Sequence, residues 1–168
     1  MSGHERTAAL AAALAKGKRA QLAGFDLAGY DLRDANLADA NLKGANLTSA
    51  NLAGANLTRV DLTGANLGKV NMQGANLQDA DLSGVNLVEA NLTEADLTNA
   101  DLWCANLTEA NLTGANLTGV DLTEADLFKA KLTEANLFSA DLAGANLTGT
   151  NLTGANLANI KSKGTKWP

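Results

Sequence analysis

Cysteine and histidine each occur once in this 168-residue chain, and aromatic residues make up 4% of it. A single cysteine, Cys104, cannot close an internal disulfide, which fits a reducing cytoplasm. One histidine and one cysteine also leave no metal cluster and no Ser-His-Asp or Cys-His set. So few aromatics argue against an ordinary globular core. The longest apolar run, Ala8 to Ala15, is far short of a membrane span. It is too weakly apolar for a signal peptide, has Glu5 just upstream, and is followed by Lys16, Lys18 and Arg19. The expected setting is therefore the cytoplasm, with no membrane contact.

Leucine is present with unusual regularity. It occupies every fifth position from 22 to 157, with Met72 the one exception, and Asn or Asp precedes it in 26 of these 28 units. A period of five fits neither the 3.6-residue helix nor the two-residue strand. It belongs to a solenoid whose coil is a small whole number of pentapeptides.

Units such as Ala35-Asn36-Leu37-Ala38-Asp39 and Ala115-Asn116-Leu117-Thr118-Gly119 follow the pattern A(D/N)LXX, and the chain resembles the pentapeptide-repeat proteins over 140 of its 168 residues. The resemblance implies an all-β solenoid, a right-handed quadrilateral β-helix with four pentapeptides per coil. It points each leucine, and the residue two before it, inward. Residues 20–159 then make about seven coils, with residues 1–19 an N-terminal helical cap and 160–168 a short basic C-terminal cap or tail. The composition suits a narrow tube, where one leucine per side beside a small residue packs at crystal-like density. Each buried leucine contributes roughly 1.5–3 kcal/mol, and Met72 conserves volume. At about 4.8 Å per coil the rod is about 34 Å long.

Solenoid ends need caps. Ser2-Gly3-His4-Glu5 reads as a capping box, Ala8 to Lys16 as a helix and Gly17 as its stop. Phe25 and Tyr30 replace the small inward residue in the first coil, where a lid would sit. Ile160 and Trp167 are the plug expected at the far end, the smaller closure and so the expected place of weak self-association, as in relatives that dimerise there.

Charge is unevenly placed. The body, 20–159, carries six basic and 17 acidic side chains, a net of −11, while each terminal segment carries +3. Such a rod is not expected to bind nucleic acid directly, since phosphate recognition needs the opposite sign. With 20 residues per coil, Asp61, Asp81, Asp101, Asp121 and Asp141 form one column, extended by Glu124 and neighboured by Glu89 and Glu109. Two readings stand side by side. Asp and Asn are interchangeable backbone binders at turns; or the column is an acidic stripe resembling a phosphate backbone.

Trp103, Phe128 and Phe138 take outward positions, and aromatics on a polar rod mark a protein contact. Lys131 is the one basic residue before a leucine, and a surface ion pair with Asp126 or Glu134 is expected for it, or else a contact role. Cys104 lies among acidic neighbours that disfavour a thiolate, so no nucleophilic role is expected. The carboxylates line an exterior and form no catalytic pocket.

These observations point to a non-catalytic protein-interaction scaffold without cofactors, its contacts at Trp103, Phe128, Phe138 and Lys131. The alternative is a DNA-mimicking acidic rod that binds DNA gyrase or another DNA-binding protein, as the resemblance implies for one branch of the family. Those relatives have less regular, often Phe-centred repeats. Ice binding through the column Thr93, Thr113, Thr133 and Thr153 is a third reading, weakened by the single rank and by Lys131.

Overall fold

The computed structural model describes residues 19–168. The helical cap expected over 1–19 falls, but for Arg19, outside that range.

Each pentapeptide of the body contributes one bridge residue, one inward leucine (Met72 in one unit) and a two-residue turn. The residue before each leucine pairs in parallel with the residue 20 positions on, from Gln21↔Asn41 to Asn146↔Lys166. Four pentapeptides therefore close one coil, and the coils stack in strict register. The backbone bonds show how. Leu92 N–H donates to the Asn111 carbonyl at 2.7 Å, and Asn111 N–H donates back to the Ala90 carbonyl at 2.9 Å. Glu94 N–H reaches the Thr113 carbonyl at 3.0 Å, so the turn is tied to the next coil as well. Within the turn, Ala95 N–H donates to the Leu92 carbonyl at 3.1 Å. Backbone polar groups are thus satisfied by neighbouring coils.

We name the faces by their bridge residues. The first holds Asp61 to Asp141, the second Asn66 to Asn146, the third Asn71 to Asn151 and the fourth Asn76 to Asn156. The interior is one column of leucine and one of small residues per face. From Leu37 to Leu147 every leucine, and Met72 with them, is buried to 1% exposure or less. Val60, Val70, Val85 and Val120 fit among the small residues without leaving the core. Thr150 does so by donating its hydroxyl to the Leu127 carbonyl at 2.8 Å.

The residue before leucine has a second task. Its Oδ1 accepts the N–H two residues on, as Asn91 does from Thr93 at 3.2 Å and Asp81 from Ser83 at 3.0 Å. Asn and Asp serve equally, because both offer that oxygen. Asparagine adds a donor: Asn86 reaches Asn66 and Asn156 reaches Asn136, each at 2.9 Å, tying coil to coil.

Both ends depart from expectation. Phe25 stands at an inward position of its pentapeptide but is 52% exposed, in a first coil that bridges only to the coil after it among the described residues. Tyr30 is partly buried against the core. At the other end, residues expected as a tail continue the ladder: Lys161 bridges Asp141 and Lys166 bridges Asn146, adding part of an eighth coil over the first two faces. The third and fourth faces are not covered in this way, and Leu152 and Leu157 are only partly buried. Ile160 packs against the core, whereas Trp167 stays 42% exposed and does not plug the end.

Candidate functional site

Side chains free to meet a partner come from the bridge positions and the turns. The turns carry a constraint of their own. The second residue of each turn has a positive φ, a conformation that favours glycine. Where a functional side chain stands there, the backbone is strained to hold it. Cys104 at 54°, Glu124 at 59° and Ser139 at 60° are such places on the edges of the first face.

Of the three outward aromatics, Trp103 is 51% exposed and Phe138 40%. Phe128 is half-buried, and Lys129 Nζ lies 5.0 Å from its ring centroid, a cation–π contact that already covers the ring. Trp103 lies in the turn that leaves the first face, and Phe138 in the turn that enters it. The structure therefore sets these two on opposite edges of the aspartate face and places Phe128 on a different edge.

The five aspartates are in register, each outward and each bonded to its own turn. Asp61 and Asp81 accept hydroxyl protons from Thr63 and Ser83 at 2.6 Å, and Asp141 receives Lys161 at 3.1 Å. Asp101 and Asp121 have only the backbone N–H groups of Trp103 and Thr123, each at 2.8 Å, and no ion pair among the described residues. Burial pushes the Asp81 carboxyl up, but the Ser83 hydroxyl and N–H, the Thr63 hydroxyl and the charge of Lys43 outweigh it and hold it below the usual carboxylate range. Asp141 is held low chiefly by the Ala143 N–H, with Lys161 adding to it against a desolvation penalty.

Lys131 corrects the ion-pair expectation. It is exposed and forms no ion pair with Asp126, Glu134 or any other described residue, while Arg59–Asp39 at 2.8 Å and Lys69–Glu89 at 3.6 Å do form. A lysine has no oxygen for the turn, so Lys131 leaves the Thr133 N–H without the bond that Asn111 gives Thr113 at 3.2 Å. It also interrupts the asparagine column between Asn111 and Asn151. Cys104 is exposed and free. The Thr93 and Thr113 hydroxyls donate to their own asparagines at 2.7 Å, which ties up two of the four hydroxyls of the ice-binding reading. Among the described residues, no group of three His, Cys, Asp or Glu side chains is placed to hold a metal ion, and no helix is long and apolar enough to cross a membrane.

The model of the family "Pentapeptide repeats" matches in eight copies, over residues 18–54, 40–79, 55–93, 90–127 and 130–161. The chain belongs to the pentapeptide-repeat family. Its fold is accordingly the right-handed quadrilateral β-helix, as the family resemblance led us to expect. Among solved members, HetL of the cyanobacterium Nostoc sp. strain PCC 7120, involved in heterocyst differentiation regulation, is 36% identical over 90% of this chain and 80% of its own, with a TM-score of 0.53. Rfr23 of the cyanobacterium Cyanothece 51142 is 27% identical over 96% and 99%, with a TM-score of 0.51. QnrB1, a plasmid-mediated fluoroquinolone resistance protein, is 19% identical over 86% and 90% with a TM-score of 0.42, a likeness too remote to bear on function. No curated protein matches the chain.

Sequence reasoning missed two features of this pentapeptide-repeat rod. One is the unpartnered state of Asp101 and Asp121. A trace of it was present for Asp101, since Trp103 has no hydroxyl where Thr63 and Ser83 have one, but none for Asp121, whose turn holds the hydroxyl-bearing Thr123. The other is the cover that Lys129 gives Phe128, which only the turn geometry reveals.

Proposed function

We propose that this pentapeptide-repeat protein is a non-catalytic protein-interaction scaffold of the cytoplasm, its partner contacts carried by Trp103 and Phe138 on the edges of the first face and by Lys131 on the third, with Phe128 at the margin. The observation that supports this most is the pair of exposed aromatics on a rod whose other large apolar side chains, the ends and the half-buried Phe128 apart, are buried. Lys131 supports it from another direction, because it gives up a turn bond and a column of amides without gaining an ion pair. Rigid faces with fixed spacing suit binding rather than chemistry. A binding role also agrees with the regulatory involvement of HetL.

The second reading, a DNA-mimicking rod directed at gyrase or another DNA-binding protein, is favoured by the aspartate column in register from Asp61 to Asp141. In neither reading does the rod bind nucleic acid directly. Weak self-association is proposed for the C-terminal end, where Leu152 and Leu157 lose full burial.

Affinity capture from the source lysate with the wild-type chain and a W103A/F138A/K131A variant tests the scaffold. A partner held at high salt by the wild type and lost by the variant is the expected result. Equal capture by both would overturn it. A DNA-binding enzyme released at high salt, and unaffected by the variant, would instead support mimicry.

A further inference from the structure

The first face differs from the other three in the stretch between Trp103 and Phe138. These residues are 35 positions apart at 20 per coil, so they lie on opposite edges of one face, about 8 Å apart along the axis at ~4.8 Å per coil. Asp121 lies midway on the diagonal between them, with Asp101 one coil earlier. Asp101 and Asp121 are also the two members of the column without a side-chain partner among the described residues. Glu124, in the turn beside Trp103, forms no ion pair there either and is held at a φ of 59° that glycine would occupy more easily. Exposed aromatics and unpaired carboxylates thus converge on one patch.

We propose that this patch docks an extended, arginine-bearing segment of the partner protein. This rests on the scaffold reading and names the chemistry of its partner. A guanidinium donates in bidentate fashion to a carboxylate and stacks its flat face on an aromatic ring. Carboxylates flanked by Trp103 and Phe138 offer both kinds of contact at once. An extended segment with arginine at alternate positions presents them on one side at about 6.8 Å, a step that flexible stems can fit to the ~4.8 Å between successive aspartates. Lysine, a point charge without a stacking plane, gains only part of this.

The test uses the full chain and a dye-labelled synthetic peptide alternating arginine and serine, followed by fluorescence anisotropy at physiological salt. The D101N/D121N variant keeps the turn acceptor at both positions, so its fold is retained, which thermal unfolding verifies. We expect it to raise Kd at least about tenfold, with F138A raising it too. D61N/D81N on the same column should change Kd less than about twofold, and a lysine–serine peptide should bind at least about fivefold more weakly. Equal weakening by the two aspartate pairs, or equal binding of the two peptides, would reduce the patch to plain charge and overturn the proposal. Absence of peptide binding would overturn it as well, while a partner captured by the wild type and lost by W103A/F138A/K131A would leave the scaffold reading standing.

Discussion

Nδ2 of Asn91 lies 2.9 Å from Oδ1 of Asn71, one coil earlier, and Asn71 in turn donates to Asn51 at 3.1 Å. This chain of amides binds coil to coil on the third face. At the next coil Asn111 donates instead to the Thr93 hydroxyl at 3.0 Å, and Lys131 then interrupts the column before Asn151.

Lys131→Asn should restore an acceptor for the Thr133 N–H and an amide link between coils. With each net hydrogen bond contributing about 0.5–1.5 kcal/mol, the variant should be more stable by about 1–2 kcal/mol. A urea midpoint raised at unchanged slope is the expected readout. An unchanged midpoint would mean that Lys131 costs the fold nothing and that its presence asks for no functional reason.

On the first face the same logic predicts a gain from removing charge. Asp101 and Asp121 face one another in register and, as carboxylates, cannot donate along the column. The D101N/D121N variant should be stabilised by about 1–2 kcal/mol through lost repulsion and new amide bonds. Stabilisation together with weakened peptide binding would show that the chain accepts lower stability to keep the patch. Destabilisation would show that these carboxylates serve the fold instead.

Much of the architecture could be read before any coordinates. The leucine period gives the stack, and Asn or Asp before leucine gives the turn bonds, because each feature recurs in every unit. What could not be read lies where that marking fails. Lys161, Ser162 and Lys166 carry neither the leucine nor the asparagine signal, yet their backbone continues the ladder, since parallel bridging asks nothing of the side chain. The placement of Trp103 and Phe138 on opposite edges of one face follows from 35 positions at 20 per coil. What the sequence did not carry is that these two rings stay exposed while Lys129 covers Phe128.

Gly64 offers a clean measure of the turn constraint. Its φ is +63°, and nothing lies within 4 Å of where a Cβ would stand. Any loss in Gly64→Ala therefore comes from backbone conformation and not from a clash. We expect a loss of about 1 kcal/mol, the left-handed penalty less the entropy that alanine saves in the unfolded chain. A loss well above that from chemical denaturation would point to a contact the open space does not suggest.

Acid should weaken the rod from a defined point downward. The carboxyls of Asp81, Asp96 and Asp141 all lie below their ordinary values; at Asp96 a desolvation penalty is outweighed by the Thr98 hydroxyl, Gln78, the Thr98 N–H and Asn116. Groups with lowered folded values stabilise fully above the unfolded value of ~3.9, and that stability is lost as pH falls through the folded values. Unfolding free energy should hold down to about pH 4 and then drop, with Asp96→Asn showing a smaller drop than the wild type. Identical acid profiles would remove Asp96 from the account.

The ladder that joins residues 20 apart also governs how this chain can change length. Losing a whole coil shortens the rod and leaves every later residue in phase with its face. Losing a single pentapeptide between Trp103 and Phe138 swings everything beyond it by a quarter turn, and Phe138 would then look out over a different face from Trp103. Coil number is therefore open to drift in steps of four pentapeptides, while a binding patch spread over several coils can be erased by a deletion that touches none of its residues.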